Sequence, residues 1–545
     1  MRRLFWGLSF AAFTFHVVSF FVSPWMLSSC AITIPVFVIG IIDINQKKQS
    51  IRRNFPVIGH MRYIFEKIRP EINQYFIESN TDGTPFSREE RSVVYQRSKK
   101  VTDTIPFGTQ RNVYENGYEY VAHSMSPVHV DPKGLRVSVG GKDCKKPYHA
   151  SVFNISAMSY GSLSQSAIRA LNGGAKDGNF AHNTGEGGLS PYHLENGGDI
   201  IWQVGTGYFG CRDEKGNFHD GLFAERSQDE RVKMIEIKLS QGAKPGHGGI
   251  LPKEKLTVEI SKIRNVPMGE DVISPPWHSA FNTPKELCYF VKNLRELSGG
   301  KPVGIKMCIG RESDFMAMCK AMIETNIRPD YISIDGSEGG TGAAPLEFSN
   351  SVGMPGLDAI VFAVNVLRGF DLKKEIRVFA SGKLTSAFGI IRHLCMGVDV
   401  CYAARPFLLS LGCIQALRCN TNDCPTGVAT QNPALVRGLV VADKRTRVKN
   451  FHEQTLKGVA EILGAMGVNN HRKLNPHLLK RRVAQLDVRS LDDLVMWIEE
   501  GSFLRQQVPE KWRRDYLVAS ADSFHPEEDV QNNEHYNSDP RKIGA

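Results

Sequence analysis

At 545 residues the chain is long enough for one large barrel with accessory segments, or for two to three ordinary domains. With 41% hydrophobic and 23% charged residues it is not a disordered chain, and a net charge of +10 spread along its length, not gathered on one arm, argues against nucleic acid as a partner. Its 11 cysteines, an odd number scattered from Cys30 to Cys424, exclude a small secreted disulfide scaffold.

Two apolar runs open the chain, Leu4 to Val22 and Met26 to Ile42, with Ser23-Pro24 as a turn signal between them. At ~1.5 Å rise per residue each run is long enough for a ~30 Å hydrocarbon layer. Arg2-Arg3 precede the first run, and Lys47, Lys48, Arg52 and Arg53 follow the second. The excess of basic residues on cytoplasmic flanks then predicts a transmembrane helical hairpin over residues 1–46 with both ends cytoplasmic. The expected location is the inner or cell membrane, with the catalytic part in the cytoplasm. A cleaved signal peptide fits less well, because no small-x-small site follows the first run and a second run does. His16 reads as a tolerated helix residue. Residues 47–150 read as a cytoplasmic lead-in: helical spacing over Met61–Phe76 interrupted by Pro70, a charged helix over Arg88–Lys100, and strand-like alternation over Tyr118–Val139.

From Ser151 to about Leu411 one theme repeats: a short apolar strand, a polar or Gly-rich loop, then a helix. The expected strands are Val152–Ala157, Phe180–Asn183, Met234–Leu239, Asp271–Ser274, Val303–Cys308, Tyr331–Asp335, Arg377–Ala380 and Val398–Ala403. Helical periodicity fills several intervals, such as Lys285–Leu297, Asp314–Thr325 and Thr385–Met396. Eight alternating units predict an α/β fold, a (β/α)8 TIM barrel over residues 151–432, preceded by the hairpin and followed by a helical C-terminal extension and polar tail over 433–545. An open doubly wound sheet is the alternative, but its Gly-x-Gly-x-x-Gly fingerprint is missing.

The loops after the strands carry the chemistry. Ser156-Ala157-Met158-Ser159-Tyr160-Gly161-Ser162, Asn183-Thr184-Gly185-Glu186-Gly187-Gly188, Gln241-Gly242-Ala243-Lys244-Pro245-Gly246-His247-Gly248-Gly249 and Asp335 to Pro345 combine close backbone approach with isolated charges, Glu186, Lys244 and Lys306. Such loops can hold a planar, phosphorylated cofactor beside an anionic substrate. Ser381-Gly382-Lys383 and Ala403-Ala404-Arg405 stand after the last two strands, where a barrel often holds phosphate, with Lys383 and Arg405 as available cations. Cys413, Cys419 and Cys424-Pro425 then give three thiols at a spacing that suits a cuboidal iron–sulfur cluster, with buried structural thiols as the competing reading. Zinc would need a fourth ligand, and His393 and His452 are poorly spaced for it.

Taken in order, Asn183–Gly188, Gln241–Gly249, Ile273-Ser274-Pro275-Pro276, Gly339–Pro345 and Cys424-Pro425-Thr426-Gly427-Val428-Ala429-Thr430-Gln431 resemble the synthase domain of the glutamate synthase family, over Ser156 to Gln431. The resemblance implies FMN bound through Ala157, Met158, Ser159, Gln203 and Lys306 and through Gly339, Gly340, Thr341, Ser381, Gly382, Lys383, Ala404 and Arg405. It implies a 3Fe-4S cluster on Cys413, Cys419 and Cys424, relaying electrons to the flavin, which reduces 2-iminoglutarate to L-glutamate. Gln241, Lys244 and Arg264 match the family positions that hold 2-oxoglutarate, and Glu186 matches a glutamate near the point of ammonia arrival; Glu186 and Lys244 are the expected catalytic pair.

There are departures. The glutaminase domain and the C-terminal β-helical domain of the family have no counterpart in this sequence, so ammonia is expected free or from a separate glutaminase subunit. Without an NAD(P)H fingerprint, electrons are expected from a ferredoxin or a separate reductase subunit. Ser381-Gly382-Lys383 stands for a family Asp-Gly-Gly, Ala403-Ala404-Arg405 for Gly-Thr-Ala, His247 for a glutamate, and Trp277-His278-Ser279 for Pro-His-His. The alternatives to 2-oxoglutarate amination are an N-methylglutamate synthase-like or other amino/oxo-acid oxidoreductase, or a membrane-bound electron-transfer subunit. Retention of Glu186, Gln241, Lys244 and Arg264 favours the enzyme.

Overall fold

The computed structural model describes residues 1–101 and 103–525, except for the side chain at position 24; the far part of the expected polar tail lies outside the described residues. The chain divides into two compact units, Met1–Thr84 and Pro85–Ala545.

In the first unit, helices α1 (Arg2–Val22) and α2 (Cys30–Asn45) are joined by a 3-10 turn, Pro24–Ser29. By length and composition both helices are able to cross a membrane, and little of either is buried within the protein. His16 Nε2 and Thr33 Oγ1, 2.8 Å apart, link the two helices. Gly40 permits a close approach: a Cβ there would lie 2.1 Å from the Phe5 ring. Past α2 the chain folds back on fully buried Asp43, whose carboxylate accepts from Arg52 Nε (2.7 Å), the Val57 N–H (2.9 Å) and His60 Nε2 (2.9 Å). A helix over Gly59–Ile72 follows, with Pro70 in its last turn.

The second unit is built on a closed barrel of eight parallel strands: β1 (Phe153–Ile155), β2 (His182–Asn183), β3 (Ile200–Val204), β4 (Val232–Lys238), β5 (Val303–Met307), β6 (Tyr331–Asp335), β7 (Arg377–Ser381) and β8 (Val400–Ala403). Each strand pairs with its sequence neighbours, and β8 closes on β1 through Cys401 opposite Phe153. The expected strand number holds, but one member differs. Ile200–Val204 is the third strand, whereas Val272–Ile273 pairs antiparallel with Ile250–Leu251 in a small hairpin outside the barrel. The reason is burial: all five residues of β3 are inside, while Ile273 is exposed.

Helices expected over Lys285–Leu297, Asp314–Thr325 and Thr385–Met396 stand as Pro284–Leu297, Glu312–Thr325 and Ala387–Cys395. The charged lead-in helix, Arg88–Lys99, starts on a Ser87/Glu90 capping box. A 25-residue helix, Val441–Ala465, packs across it and across Gln165–Gly178. That crossing needs Gly174, where a Cβ would sit 2.4 Å from Val448 Cγ1. Further on, Leu479–Ala484 and Asp487–Ser490 form a three-stranded sheet with Glu119–Val121, so the C-terminal extension expected to be helical also holds two strands.

Candidate active site

Parallel barrels present the C-terminal ends of their strands at one mouth, and the loops after β1, β2, β4 and β6 converge there. The loops after β4 and β6 come into direct backbone contact: a Cβ on Gly242 would fall 1.7 Å from the Gly336 carbonyl oxygen. Only glycine fits at such a contact.

Four charged groups meet at this mouth. Glu186 Oε1 lies 2.7 Å from Lys238 Nζ, which also donates to Gln241 Oε1 at 2.6 Å. Lys244, 2% exposed, donates through Nζ to the Ala343 carbonyl at 2.8 Å, tying the β4 loop to the β6 loop. Buried Arg264 donates from Nη2 to the Tyr160 carbonyl (3.1 Å) and lies over the Phe209 ring at 5.1 Å, while its Nε has no partner among the described residues. The short helix bearing Arg264, Val258–Arg264, is pinned at its other end, where Glu259 accepts from Tyr160 Oη (2.6 Å) and Tyr192 Oη (2.8 Å). Glycines wall in Glu186, for a Cβ on Gly249 would be 2.4 Å from its Oε1.

These neighbours set one another's charge. Burial acts to raise the Glu186 carboxyl, but Lys238, Lys244 and Arg264 together hold it below its usual value, ionised at neutral pH. Burial pushes Lys244 down to about 8 against the pull of Glu186, and Arg264 down to about 10. Below them His278 stays neutral, pushed down to about 4 by burial. Its Nε2–H donates to the Lys238 carbonyl at 2.9 Å, so its Nδ1 accepts from Tyr208 Oη at 3.0 Å.

A second polar layer lies inside the barrel wall. Lys306 on β5 stands 3.4 Å from Asp335 Oδ2 at the end of β6, and Asp335 also accepts from the Gly242 N–H (3.0 Å) and the Ser381 hydroxyl. Glu236 on β4 accepts from Asn183 Nδ2 and Gln203 Nε2, each at 2.7 Å, leaving its buried Oε2 unpartnered among the described residues. Ala157, Met158 and Ser159 line the β1 loop against Gly185, where a Cβ would come within 2.7 Å of the Ser159 nitrogen. Thr341 Oγ1 donates to the Ala343 carbonyl (3.3 Å), Gly339 N–H to the Gly336 carbonyl (2.8 Å). Arg405, following Ala404, donates to the Glu338 carbonyl at 2.7 Å, beside Gly340. Gly382 faces Glu338, whereas the Lys383 side chain is exposed and makes no ion pair among the described residues. Close-approach glycines at 185, 340 and 382, with buried Lys306 and with Arg405 beside Gly340, form a cradle that suits a flat, anionic cofactor.

The three cysteines share one loop after β8. Cys424 accepts from the N–H groups of Thr426, Val428 and Ala429 and lies 3.4 Å from Thr426 Oγ1; burial opposes, but these donors hold its thiol below the usual range. Burial raises Cys413 and Cys419, and each lies within electrostatic reach of Cys424. Among the described residues no group of three Cys, His, Asp or Glu is placed to hold a single metal ion. Three thiols in one half-buried loop, one of them held toward thiolate, nonetheless fit a cluster that spreads its ligands over several ångströms.

Lys238, Glu236, Asp335 and Tyr160 were not singled out from the sequence. The available signal was Glu236 and Lys238 at i and i+2 within the apolar Met-Ile-Glu-Ile-Lys-Leu, which puts both on one face of a strand buried on both sides.

Residues 98–469 match the family described as the conserved region in glutamate synthase. The chain belongs to the glutamate synthase family. The glutamate synthase large subunit-like protein YerD of Bacillus subtilis is 36% identical over 509 residues, covering 85% of this chain and 96% of that protein. An archaeal glutamate synthase (NADPH) of Methanocaldococcus jannaschii is 35% identical over 344 residues, 62% of this chain and 64% of that one. Glutamate synthases are oxidoreductases. Among solved structures, a mutant flavocytochrome b2 with pyruvate bound overlaps 82% of this chain and 91% of its own at 14% identity and a TM-score of 0.42, too remote to bear on the site.

Proposed function

We propose that the protein catalyses reductive amination of 2-oxoglutarate to L-glutamate, with FMN in the barrel mouth and a 3Fe-4S cluster on Cys413, Cys419 and Cys424. The observation that carries this is the charge at the mouth: one carboxylate, Glu186, stands among three cations, Lys238, Lys244 and Arg264. Two positive charges are left over, which is what a 2-oxo dicarboxylate neutralises.

Arg264, with its unpartnered Nε, and Lys244 bind the carboxylates, and Gln241 supplies a side-chain amide donor. Ionised Glu186 takes a proton from ammonium so that the free amine attacks the keto carbon, and returns it as water leaves from the carbinolamine. Lys238 keeps Glu186 charged and aimed. Ala157, Met158, Ser159, Gln203 and Lys306 would hold the flavin ring, with Gly339, Gly340, Thr341, Ser381, Gly382, Ala404 and Arg405 around its phosphate. Bound there, FMN supplies hydride equivalents and the cluster supplies single electrons from a separate donor, a ferredoxin or a reductase subunit, while ammonia arrives free or from a separate glutaminase.

The hairpin would hold this chemistry at a membrane. In support, Arg2 Nε donates to the Arg53 carbonyl at 2.7 Å, so the start of α1 and the basic segment after α2 lie at one end of the hairpin. Both ends then face the cytoplasm.

The test is anaerobic photoreduction of the purified protein followed by 2-oxoglutarate, ammonium, or both. Flavin re-oxidation with both, yielding glutamate, is expected. Re-oxidation with neither combination, in protein that holds flavin and cluster, would sink the amination reading and favour another oxo acid. Resistance of the membrane-bound protein to carbonate extraction tests the hairpin separately.

A further inference from the structure

Lys255 is 2% exposed and spends all three ammonium hydrogens on main-chain carbonyls: Cys419 O at 2.6 Å, Ala429 O at 2.8 Å and Ser162 O at 3.1 Å. Two of these acceptors belong to the cysteine loop, and the third to the loop after β1 that carries Ala157 to Ser159. A buried ammonium is costly without an opposite charge. Lys255 has no carboxylate partner among the described residues, and the groups whose charge acts on it are the sulfurs of Cys419 and Cys424. Its three carbonyl bonds hold that charge against the loop that carries Cys419 and Cys424.

We propose that Lys255 is the built-in counter-charge of the cysteine-ligated cluster, a positioning residue that makes the cluster easier to reduce and locks its loop to the flavin-side loop. This rests on the iron–sulfur reading above. When the cluster accepts an electron its negative charge grows by one, and a fixed cation buried beside two of its ligands favours that reduced state. The same residue fixes the spacing of the two loops, because its three bonds span both.

The experiment is a potentiometric titration of the cluster in the full chain, followed by electron paramagnetic resonance, with iron and flavin content measured on the same samples. Lys255→Met removes the charge and keeps the length, while Lys255→Arg keeps the charge. The expected result is a cluster in Lys255→Met harder to reduce by at least about tenfold in the reduced-to-oxidised ratio at fixed potential, ~59 mV for a one-electron couple. Flavin content should stay at the wild-type level, and Lys255→Arg should return most of the shift. An unmoved potential in Lys255→Met overturns the inference, as does a shift in Lys255→Arg equal to that in Lys255→Met. If Lys255→Met does not accumulate folded, Lys255→Gln is read the same way. If both neutral variants fail while Lys255→Arg folds, the need for charge is upheld; if Lys255→Arg fails too, the residue is a packing element and the inference falls. Wild-type protein prepared anaerobically without iron or a three-iron signal would instead overturn the cofactor reading itself.

Discussion

The Lys238 ammonium lies 2.7 Å from the Glu186 carboxylate, joining the end of β4 to the loop after β2 across the barrel mouth. If Glu186 moves the protons of amination, Glu186→Gln should lower kcat by about 10²–10⁴ with flavin content unchanged, read by steady-state assay with a chemical electron donor. Lys238→Met removes the largest influence holding the Glu186 carboxyl down. The acid limb of the pH–rate profile should therefore move to higher pH in that variant. A limb that stays in place would remove Glu186 from the role of base.

Lys244 gives a prediction on the alkaline side. Its ammonium is lowered to about 8 by burial, so the charge offered to a substrate carboxylate is present below that pH and lost above it. The KM for 2-oxoglutarate should rise above pH 8, approaching about tenfold per pH unit, while kcat changes less. Lys244→Arg, which stays charged, should flatten the rise.

Gly174 tests the packing of the accessory helices on the barrel. With a Cβ only 2.4 Å from Val448 Cγ1, Gly174→Leu forces apart Gln165–Gly178 and Val441–Ala465. A loss of about 1–3 kcal/mol is expected, seen as a lower Tm by circular dichroism in detergent. The effect should shrink when Val448→Ala is added.

Asp43 tests the fold-back after α2. Asp43→Ala leaves Arg52, His60 and the Val57 N–H without their shared acceptor. About 1–3 kcal/mol of local stability should be lost, and limited proteolysis of the full chain should cut earlier between residues 46 and 58.

Much of the architecture was legible because barrel strands are short apolar runs between turn signals. Tyr331–Asp335 was marked out by its flanks alone. Ile200–Val204 has the same character, Ile-Ile-Trp-Gln-Val after Gly-Gly-Asp, but the run Phe180 to Gln203 reads as one strand with its loop. Asp271–Ser274 looked like a strand because two apolar residues precede a Ser-Pro-Pro turn, and local pattern cannot say whether such a segment joins a barrel or a hairpin. In the site, Glu186, Lys244 and Lys306 stand out as isolated charges at or near strand ends, whereas Gln241 and Arg264 come only from the family resemblance. Glu236 and Lys238 do not stand out, since a charge inside a strand reads as a solvated edge until both faces of that strand are known to be covered. Asp335, Lys306 and Ser381 become one cluster only when β5, β6 and β7 are side by side.

The stretch between β4 and β5 has a consequence for how this protein can diverge. Gln241, Lys244, the small hairpin and the helix bearing Arg264 all lie in that one contiguous segment, while Lys306, Asp335 and Ser381 sit on the next three strands and Arg405 opens the helix after β8. The residues proposed for acid recognition are thus encoded largely in one length of the gene, together with Lys255. On the proposed reading, exchange of residues 239–302 would change the oxo acid accepted and, because Lys255 lies in the same segment, the charge beside the cysteine loop with it.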